Sequence, residues 1–251
     1  MTEKELTEQI AKRVKDCGSI LLEAQHMEKN VIAKEGRANF VTAYDQKVQE
    51  RLCRELLELL PEAGFLGEEG EQEQIDVSKG YVYIVDPIDG TTNFMKGYQM
   101  SAISAALARD GEVICGVVYN PYLDELFTAF KGQGAFLNGK PIHVSGAPLS
   151  EGLVLFGTSP YHENLAKQSF QTAYEYFKQA LDVRRSGSAA LDLCSIAAGR
   201  AELFFELILQ PWDYAAGSLL IQEAGGMITD MEGGQITLDR PCSILATNGV
   251  K

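Results

Sequence analysis

The 251-residue sequence contains no run of eighteen apolar residues, and residues 1–5 lack the apolar stretch of a secretory signal. A membrane-spanning helix needs about 20 predominantly apolar residues, and a signal peptide needs a shorter apolar core. We therefore expect a cytoplasmic protein with no segment in a membrane.

Cysteine and histidine are both scarce. The five cysteines are odd in number, widely scattered and free of C-x-x-C spacing: Cys17, Cys53, Cys115, Cys194 and Cys242. This pattern is typical of reduced, mostly buried thiols rather than a disulfide framework or a zinc site. The three histidines share no motif, so we interpret His26, His143 and His162 as surface or packing residues. No Ser/His/Asp triad is indicated.

Positive charge is the third shortage. Lysine and arginine total 22 against 35 aspartates and glutamates, which gives a formal net charge of −13. Binding to nucleic acid needs a clustered basic face, so nucleic acid is not an expected partner. An acidic enzyme that acts on anionic substrates needs metal ions or helix dipoles to offset its own field. The acidic residues are therefore the ones to follow.

Two stretches near the start carry apolar residues at helical spacing. Residues 1–25 predict an amphipathic helix, and Val48 to Leu59 repeat the pattern in a second helix that ends before Pro61. The polar residues 30–39 between them predict an exposed loop.

From Gly64 the pattern changes to short β-branched or aromatic runs, which predict a mostly antiparallel sheet. The predicted strands are 65–66, 81–85, 101–108, 113–119 and 125–130. After Pro148, strands (153–156, 183–184, 201–206 and 227–229) alternate with helices (165–180, 189–198 and 214–224), as in an α/β half. We expect one domain over residues 1–251, with halves of about 1–147 and 148–251 and a cleft between them.

The central motif is DPIDGTT at residues 86–92, directly after the predicted strand 81–85. Asp86 and Asp89 lie three residues apart at a strand end, so their carboxylates can converge on one point. Hard divalent cations prefer oxygen ligands, and Gly90 would let backbone N–H groups approach an anion. The alternative is a plain turn, since Asp, Pro and Gly are common turn residues.

Three other acidic residues lie where elements begin or end. Glu68 follows a short apolar segment and could add a third carboxylate, with a solvated acidic loop as the alternative. Asp213 precedes the predicted helix 214–224 and is the expected N-cap, a place from which it could also face a metal. Glu206 and residues 187–189 take strand-end and helix-start positions typical of a cleft, with a surface Glu and a Ser cap as alternatives.

Together, and in this order, these segments resemble the inositol monophosphatase family of Mg²⁺-dependent, lithium-sensitive phosphatases. The segments that carry the resemblance are 41–47, 67–69, 86–94, 187–189, 212–213 and 223–226. The resemblance implies an α/β (α+β) fold, a layered α-β-α-β-α sandwich of the inositol monophosphatase and fructose-1,6-bisphosphatase type, usually found as a homodimer.

The resemblance also implies roles for individual residues. The ligands of two or three Mg²⁺ ions would be Glu68, Asp86, the carbonyl of Ile88, Asp89 and Asp213, with Asp86 as the bridge. Thr91 with Glu68 would orient the attacking water, and the amides of Gly90 and Thr91 would hold the phosphate. Substrate contacts would come from Asp89, Gly187, Ala189 and Glu206, and Lys34 would lie in a mobile loop. We leave residues 157–159 outside the predicted site.

The implied reaction is hydrolysis of a small phosphorylated polyol or sugar, above all inositol 1-phosphate, to inositol and phosphate. The alternatives within the superfamily are a fructose-1,6-bisphosphatase, a 3′,5′-bisphosphate nucleotidase and a histidinol-phosphate phosphatase, whose substrates all present hydroxyls to the same cleft. A different class of function is an interaction protein, because some bacterial members of the family are also partners of the transcription machinery.

Overall fold

Three β-sheets, of seven, five and two strands, and six α-helices form the part of the chain that the computed structural model describes, residues 3–24, 31–33, 40–70 and 75–250. The helices are α1 (Glu3–Glu23), α2 (Ala43–Leu59), α3 (Thr91–Lys96), α4 (Glu163–Phe177), α5 (Ala189–Ala197) and α6 (Pro211–Glu223). The strands are β1 (Val31–Ala33), β2 (Phe40–Thr42), β3 (Gly64–Gly67), β4 (Tyr81–Asp89), β5 (Ala102–Arg109), β6 (Glu112–Asn120), β7 (Glu125–Phe130), β8 (Ala135–Leu137), β9 (Lys140–Ile142), β10 (Leu153–Phe156), β11 (Asp182–Arg184), β12 (Leu203–Leu209), β13 (Met227–Thr229) and β14 (Cys242–Thr247).

The larger sheet has seven strands in the order β3-β4-β5-β6-β7-β8-β9, with only the β3–β4 pair parallel. The smaller sheet has five strands in the order β11-β10-β12-β14-β13, and β10 pairs in parallel with both of its neighbours. The short strands β1 and β2 pair with each other. The mostly antiparallel first sheet and the α/β second half agree with the sequence prediction.

The layers follow from strand β4, which is buried on both faces. Tyr83 and Val85 pack into a core with residues of α1 and α2, whereas Val82 and Ile84 pack into a second core with residues of α5 and α6. That second core also includes residues of the five-stranded sheet, and α4 covers the outer face of this sheet, where Phe156 and Phe205 stack. The predicted α-β-α-β-α order is confirmed.

Close packing of α6 on the large sheet depends on a glycine. A Cβ atom added at Gly116 in β6 would lie 2.6 Å from the carbonyl oxygen of Ala216 in α6. Helix α6 therefore approaches the sheet more closely than a side chain at position 116 would allow, and this closeness brings the start of α6 toward the end of β4.

The sequence prediction was wrong in several places. Strand β4 continues through Asp89 instead of ending at residue 85, because a bulge between Asp86 and Asp89 accommodates Pro87, which has no N–H for the ladder. Residues 31–33, predicted as loop, form a strand paired with β2. The short strands β8, β9 and β14 were not predicted.

The structure also describes the five cysteines, the helices and the two halves of the chain. All five cysteines are free, and three of them are buried. None of the helices in the described ranges is long and apolar enough to cross a membrane. The two sheets lie on either side of the predicted boundary at residues 147 and 148, yet α5 and α6 pack on the first sheet. The division into halves remains a prediction.

Candidate active site

Three carboxylates meet at the end of β4. One oxygen each from Asp86, Asp89 and Asp213 lies within 4.8 Å of the others. Asp86 and Asp89 flank the bulge in β4, while Asp213 comes from the first turn of α6, more than 120 positions away along the sequence. The bulge lets both β4 carboxylates face the same side, where regular alternation would send side chains three positions apart to opposite faces.

Backbone amides and a hydroxyl hold two of these carboxylates. Asp89 Oδ2 accepts hydrogen bonds from the hydroxyl of Ser188 and from the amide of Ala190 at 2.8 Å, at the start of α5. Asp213 Oδ2 accepts from the amide of Gln210 at 2.7 Å. The expectation that Asp213 is the N-cap of its helix was wrong: α6 begins at Pro211, Gln210 is the cap, and Asp213 sits at the third helical position. A proline is well suited to that first position, because its missing N–H has no partner in the helix.

A fourth carboxylate belongs to Glu68, just after β3. The amide of Glu68 donates to the carbonyl of Val85 at 3.2 Å, which extends the parallel pairing of β3 with β4. Glu68 lines the same cleft as the three aspartates, and its side chain is hydrogen-bonded to that of Asp86. The structure therefore brings Glu68 into the predicted site rather than leaving it in a solvated loop.

The cluster carries a strong electrostatic penalty. Burial, followed by the charges of Glu68, Asp89 and Asp213, raises the pKa of Asp86 well above its ordinary value. Burial, followed by the charges of Asp89 and Glu68, does the same for Asp213. Burial also raises the pKa of Asp89, to about 6, against the opposing effect of the Ser188 hydroxyl and the neighbouring amides. Buried like charges are costly unless they are neutralised or face a cation.

The donor set fits a hard divalent cation. The candidate donors are all oxygens, four from carboxylates and one from the carbonyl of Ile88, which lines the same cleft. Mg²⁺ and similar ions take oxygen ligands, and a cation among these carboxylates would offset their repulsion. No histidine or cysteine belongs to the cluster among the described residues, which disfavours a softer metal.

Gly90 and Thr91 form the turn between β4 and α3. Gly90 has a φ of 84°, and a Cβ atom there would lie 2.9 Å from the carbonyl oxygen of Met100, so a side chain would be both strained and crowded. The hydroxyl of Thr91 lies 3.1 Å from the carbonyl oxygen of Ile88 and 3.5 Å from Asp45 Oδ1.

Asp45 is a residue that the sequence prediction missed. It lies in α2, is fully buried, and accepts a hydrogen bond from the amide of Thr42 at 2.7 Å in a capping box. Burial raises its pKa to about 6, although the hydrogen bonds from Thr42 oppose that rise. Its T-x-x-D spacing signals only a helix cap, so nothing in the sequence separated the cap from the contact with Thr91.

A second compartment adjoins the carboxylate cluster. Gly187, Ala189 and Glu206 line it, together with Asp192 and Arg185. Glu206 does not lie at a strand end: it is inside β12, next to a bulge that separates it from Leu209. Burial raises the pKa of Glu206 to about 7. Burial also raises the pKa of Asp192 well above its ordinary value.

The cleft includes a segment that the prediction left out. Ser159, Pro160, Tyr161 and His162 line the carboxylate compartment, and the amide of Ser159 donates to Glu206 Oε1 at 2.7 Å. His162, which the sequence predicts to be a surface or packing residue, is half-buried and also lines this compartment. Short polar segments of this kind carry no periodicity, and only the contact with Glu206 reveals their place. Lys34 and His26 lie outside the described residues.

The layered fold and the buried carboxylate cluster are those of a phosphoric monoester hydrolase that uses a divalent metal, a class that the family and its named relatives share. Comparison with known proteins gives the particular family: the model of the inositol monophosphatase family matches residues 2–251. The chain belongs to this family.

Individual relatives agree with the family assignment. An inositol-1-monophosphatase of Rhizobium meliloti is 43% identical over 204 residues, which cover 81% of this chain and 76% of the relative. A protein of Escherichia coli K12 named Nus factor SuhB is 41% identical over 208 residues, which cover 80% and 76% of the two chains. The solved structure of an IMPase of Thermotoga maritima superimposes with a TM-score of 0.86 at 34% identity, covering 96% of this chain and 91% of that one.

Proposed function

We propose that this chain is a Mg²⁺-dependent phosphatase that hydrolyses inositol 1-phosphate to inositol and phosphate. The observation that carries the proposal is the cluster of Asp86, Asp89 and Asp213 oxygens within 4.8 Å, beside a compartment that contains buried Glu206. The relatives named inositol-1-monophosphatase support this substrate over other phosphorylated polyols and sugars.

The proposed metal ligands are the four carboxylates and one carbonyl of the cleft: Glu68, Asp86, Ile88, Asp89 and Asp213. We assign them two or three Mg²⁺ ions, with Asp86 as the shared ligand. When bound, the ions would supply positive charge to the phosphate and lower the pKa of a water molecule.

The proposed water-positioning residues are Thr91 and Glu68, which line the same cleft as Asp86. The hydroxyl of Thr91 lies 3.5 Å from Asp45 Oδ1. A proton given up by the water could therefore pass through this hydroxyl to the buried carboxylate of Asp45. The amides of Gly90 and Thr91, at the turn before α3, are placed to donate to the phosphate. Positioning and charge compensation of this kind need no covalent phospho-enzyme.

The proposed contacts to the rest of the substrate lie in the second compartment. Glu206 is a buried acceptor that can receive a hydrogen bond from a hydroxyl group, and Asp89, Gly187 and Ala189 complete the wall. A polyol presents several hydroxyl donors, which suits a compartment lined with carboxylates.

The experiment is a measurement of phosphate release from four substrates: inositol 1-phosphate, fructose 1,6-bisphosphate, 3′,5′-bisphosphoadenosine and histidinol phosphate. We expect the highest kcat/KM for inositol 1-phosphate, dependence on Mg²⁺ and inhibition by Li⁺. A higher kcat/KM for one of the other three compounds would identify that compound as the substrate instead. Phosphate release that is insensitive to removal of Mg²⁺ would refute the metal assignment.

A matched pair of variants tests the cluster itself. Asp86→Asn should nearly abolish turnover while the protein stays folded, because the proposed shared ligand is lost. Asp16→Asn is the control, since Asp16 is an exposed residue of α1. Near-wild-type turnover by Asp86→Asn at saturating Mg²⁺ would contradict the proposal.

A second candidate function comes from relatives named Nus factor SuhB, which include proteins 37% and 41% identical to this chain. We propose a partner in the transcription machinery as an additional role. Recovery of RNA polymerase with the immobilised protein, to the same extent with Asp86→Asn, would support a binding role independent of catalysis. Absence of polymerase from both eluates would oppose it.

We also propose that the protein is a cytoplasmic homodimer. Light scattering coupled to gel filtration measures the mass in solution, and a mass near the 27.5 kDa of one chain would exclude the dimer. Cell fractionation measures the location.

A further inference from the structure

The segment of residues 159–162 is held firmly against β12. Ser159 is buried and has a φ of 43°, an unusual value for a residue with a side chain. Its amide donates to Glu206 at 2.7 Å and its hydroxyl donates to the carbonyl of Ile208 at 3.3 Å. Its carbonyl accepts from the amide of His162 at 2.8 Å, which closes a turn around Pro160 and Tyr161. The turn therefore presents Tyr161 in a defined position.

Tyr161 faces the reaction site rather than the protein core. Its side chain lines both the carboxylate compartment and the compartment of Glu206. The residue is 49% exposed, so the ring is a wall of the cleft and does not fill the core. Burial, followed by the negative charges of the cluster, first that of Glu68, raises the pKa of its hydroxyl, which therefore keeps its proton.

The hydroxyl of Tyr161 donates no hydrogen bond to any residue in the described ranges. Other tyrosines of the chain differ in this respect: the hydroxyl of Tyr119 donates to Asp124 at 2.8 Å, and that of Tyr214 donates to the carbonyl of Thr237. A phenol hydroxyl is a good donor to an anionic oxygen. Tyr161 thus offers an unused donor above the cluster where the proposed function locates the phosphate.

We propose that Tyr161 is a substrate-binding residue whose hydroxyl donates a hydrogen bond to a non-bridging oxygen of the substrate phosphate, while its ring walls off the leaving alcohol. This role rests on the proposed phosphatase function and adds a contact to it. The turn anchored by Ser159 and Glu206 positions Tyr161, so Glu206 acts on the phosphate site indirectly as well as facing the second compartment.

Trp212 makes this proposal measurable without turnover. It is the one tryptophan of the sequence, and it lines the same compartment as Tyr161. Its fluorescence can therefore report first the binding of Mg²⁺ alone and then the binding of inorganic phosphate at saturating Mg²⁺. Three variants are compared with the wild type: Tyr161→Phe, which removes only the hydroxyl, Tyr161→Ala, which also removes the ring, and Tyr174→Phe, which alters an exposed tyrosine of α4.

We expect Tyr161→Phe to weaken phosphate binding about tenfold, which corresponds to about 1.4 kcal/mol and is typical of a lost hydrogen bond to a charged group. Its Mg²⁺ affinity should remain within twofold of the wild type. Tyr161→Ala should weaken phosphate binding at least as much and raise KM for the substrate further. Tyr174→Phe should match the wild type in every measurement.

Two results would overturn the role of Tyr161 while leaving the proposed phosphatase function intact. One is phosphate affinity of Tyr161→Phe within twofold of the wild type. The other is an equal loss of Mg²⁺ affinity and phosphate affinity, which would mean that Tyr161 shapes the carboxylate cluster itself. If the wild type shows neither phosphate binding in Mg²⁺ nor phosphate release, the proposed function fails, and the role of Tyr161 fails with it.

Discussion

The backbone amide of Ser159 and the carboxylate of Glu206 are joined by a 2.7 Å hydrogen bond. Glu206 is buried in β12, and Ser159 begins the turn that carries Tyr161 over the carboxylate cluster. Glu206 therefore affects the protein in two ways. Its charge state affects the stability of the fold, and its position affects the shape of the cleft.

The first prediction concerns the charge of Glu206. Burial raises its pKa to about 7 from an ordinary value of 4.5. Between these two pH values the folded state binds more protons than the unfolded state, so stability falls as pH rises through this window. Above the folded pKa the penalty is constant, and below the unfolded pKa it vanishes. At about 1.4 kcal/mol per pKa unit, its upper limit is about 3.5 kcal/mol.

Glu206→Gln should therefore be more stable than the wild type at about pH 8, and the advantage should shrink to nothing near pH 4. The measurement is urea unfolding of both metal-free proteins across this range. An advantage of the same size at every pH would show that ionisation of Glu206 is not the cause.

The second prediction concerns Gly157, which lies beside Glu206. A Cβ atom at this position would overlap the carboxylate of Glu206. Gly157→Ala should displace Glu206 and with it the turn of Ser159, so kcat/KM should fall about tenfold or more while Mg²⁺ binding changes little. Gly146→Ala is the matched control, because nothing lies within 4 Å of its added Cβ atom. Equal kinetics for the two alanine variants would refute the prediction.

The third prediction concerns Asp45 and its contact with Thr91. Burial raises the pKa of Asp45 to about 6, so protonation below that pH removes a charged acceptor from the Thr91 hydroxyl. Turnover should fall as pH drops through about 6, where both Asp45 and Asp89 take up protons, and Asp45→Asn should lower kcat about tenfold and make this acidic limb less steep. The Thr42 side chain still accepts from helix amides in this variant, so the cap of α2 is kept. An unchanged acidic limb in the pH profile would argue against Asp45.

The fourth prediction separates a structural carboxylate from the catalytic ones. Glu223, the last residue of α6, accepts hydrogen bonds from the amides of Gly132 and Gly134, each at 2.7 Å. Glu223→Ala should destabilise the protein by about 1–3 kcal/mol, because two amides lose their acceptor, and should leave kcat/KM unchanged. Gln222→Ala, at the exposed neighbouring position, should do neither. A kinetic defect in Glu223→Ala at temperatures where it is fully folded would assign this residue a role in the site.

Local patterns predicted a large part of the fold. Apolar residues recur at helical spacing in α1 and α2, and β-branched residues form runs in β4 to β7. These patterns show which faces of each element are buried, and they depend only on the residues of that element. The predicted ends of the elements were less accurate. Strand β4, for example, continues past Pro87 because a bulge and pairing with β5 support it. The strands β8, β9 and β14 are short or weakly patterned, and pairing with neighbours decides their existence.

By itself, the sequence determined which carboxylate oxygens are available as metal ligands. The DPIDGTT motif, Glu68 and Asp213 place acidic residues at predicted element boundaries, and their order along the chain resembles that of one family. Only the tertiary structure decided which of them meet. The convergence of Asp86 and Asp213 depends on the packing of α6 against the large sheet. The places of Asp45 and Tyr161 depend on contacts across about 45 to 50 positions of chain. Such contacts arise from the summed packing of whole layers, and no short stretch of residues encodes them.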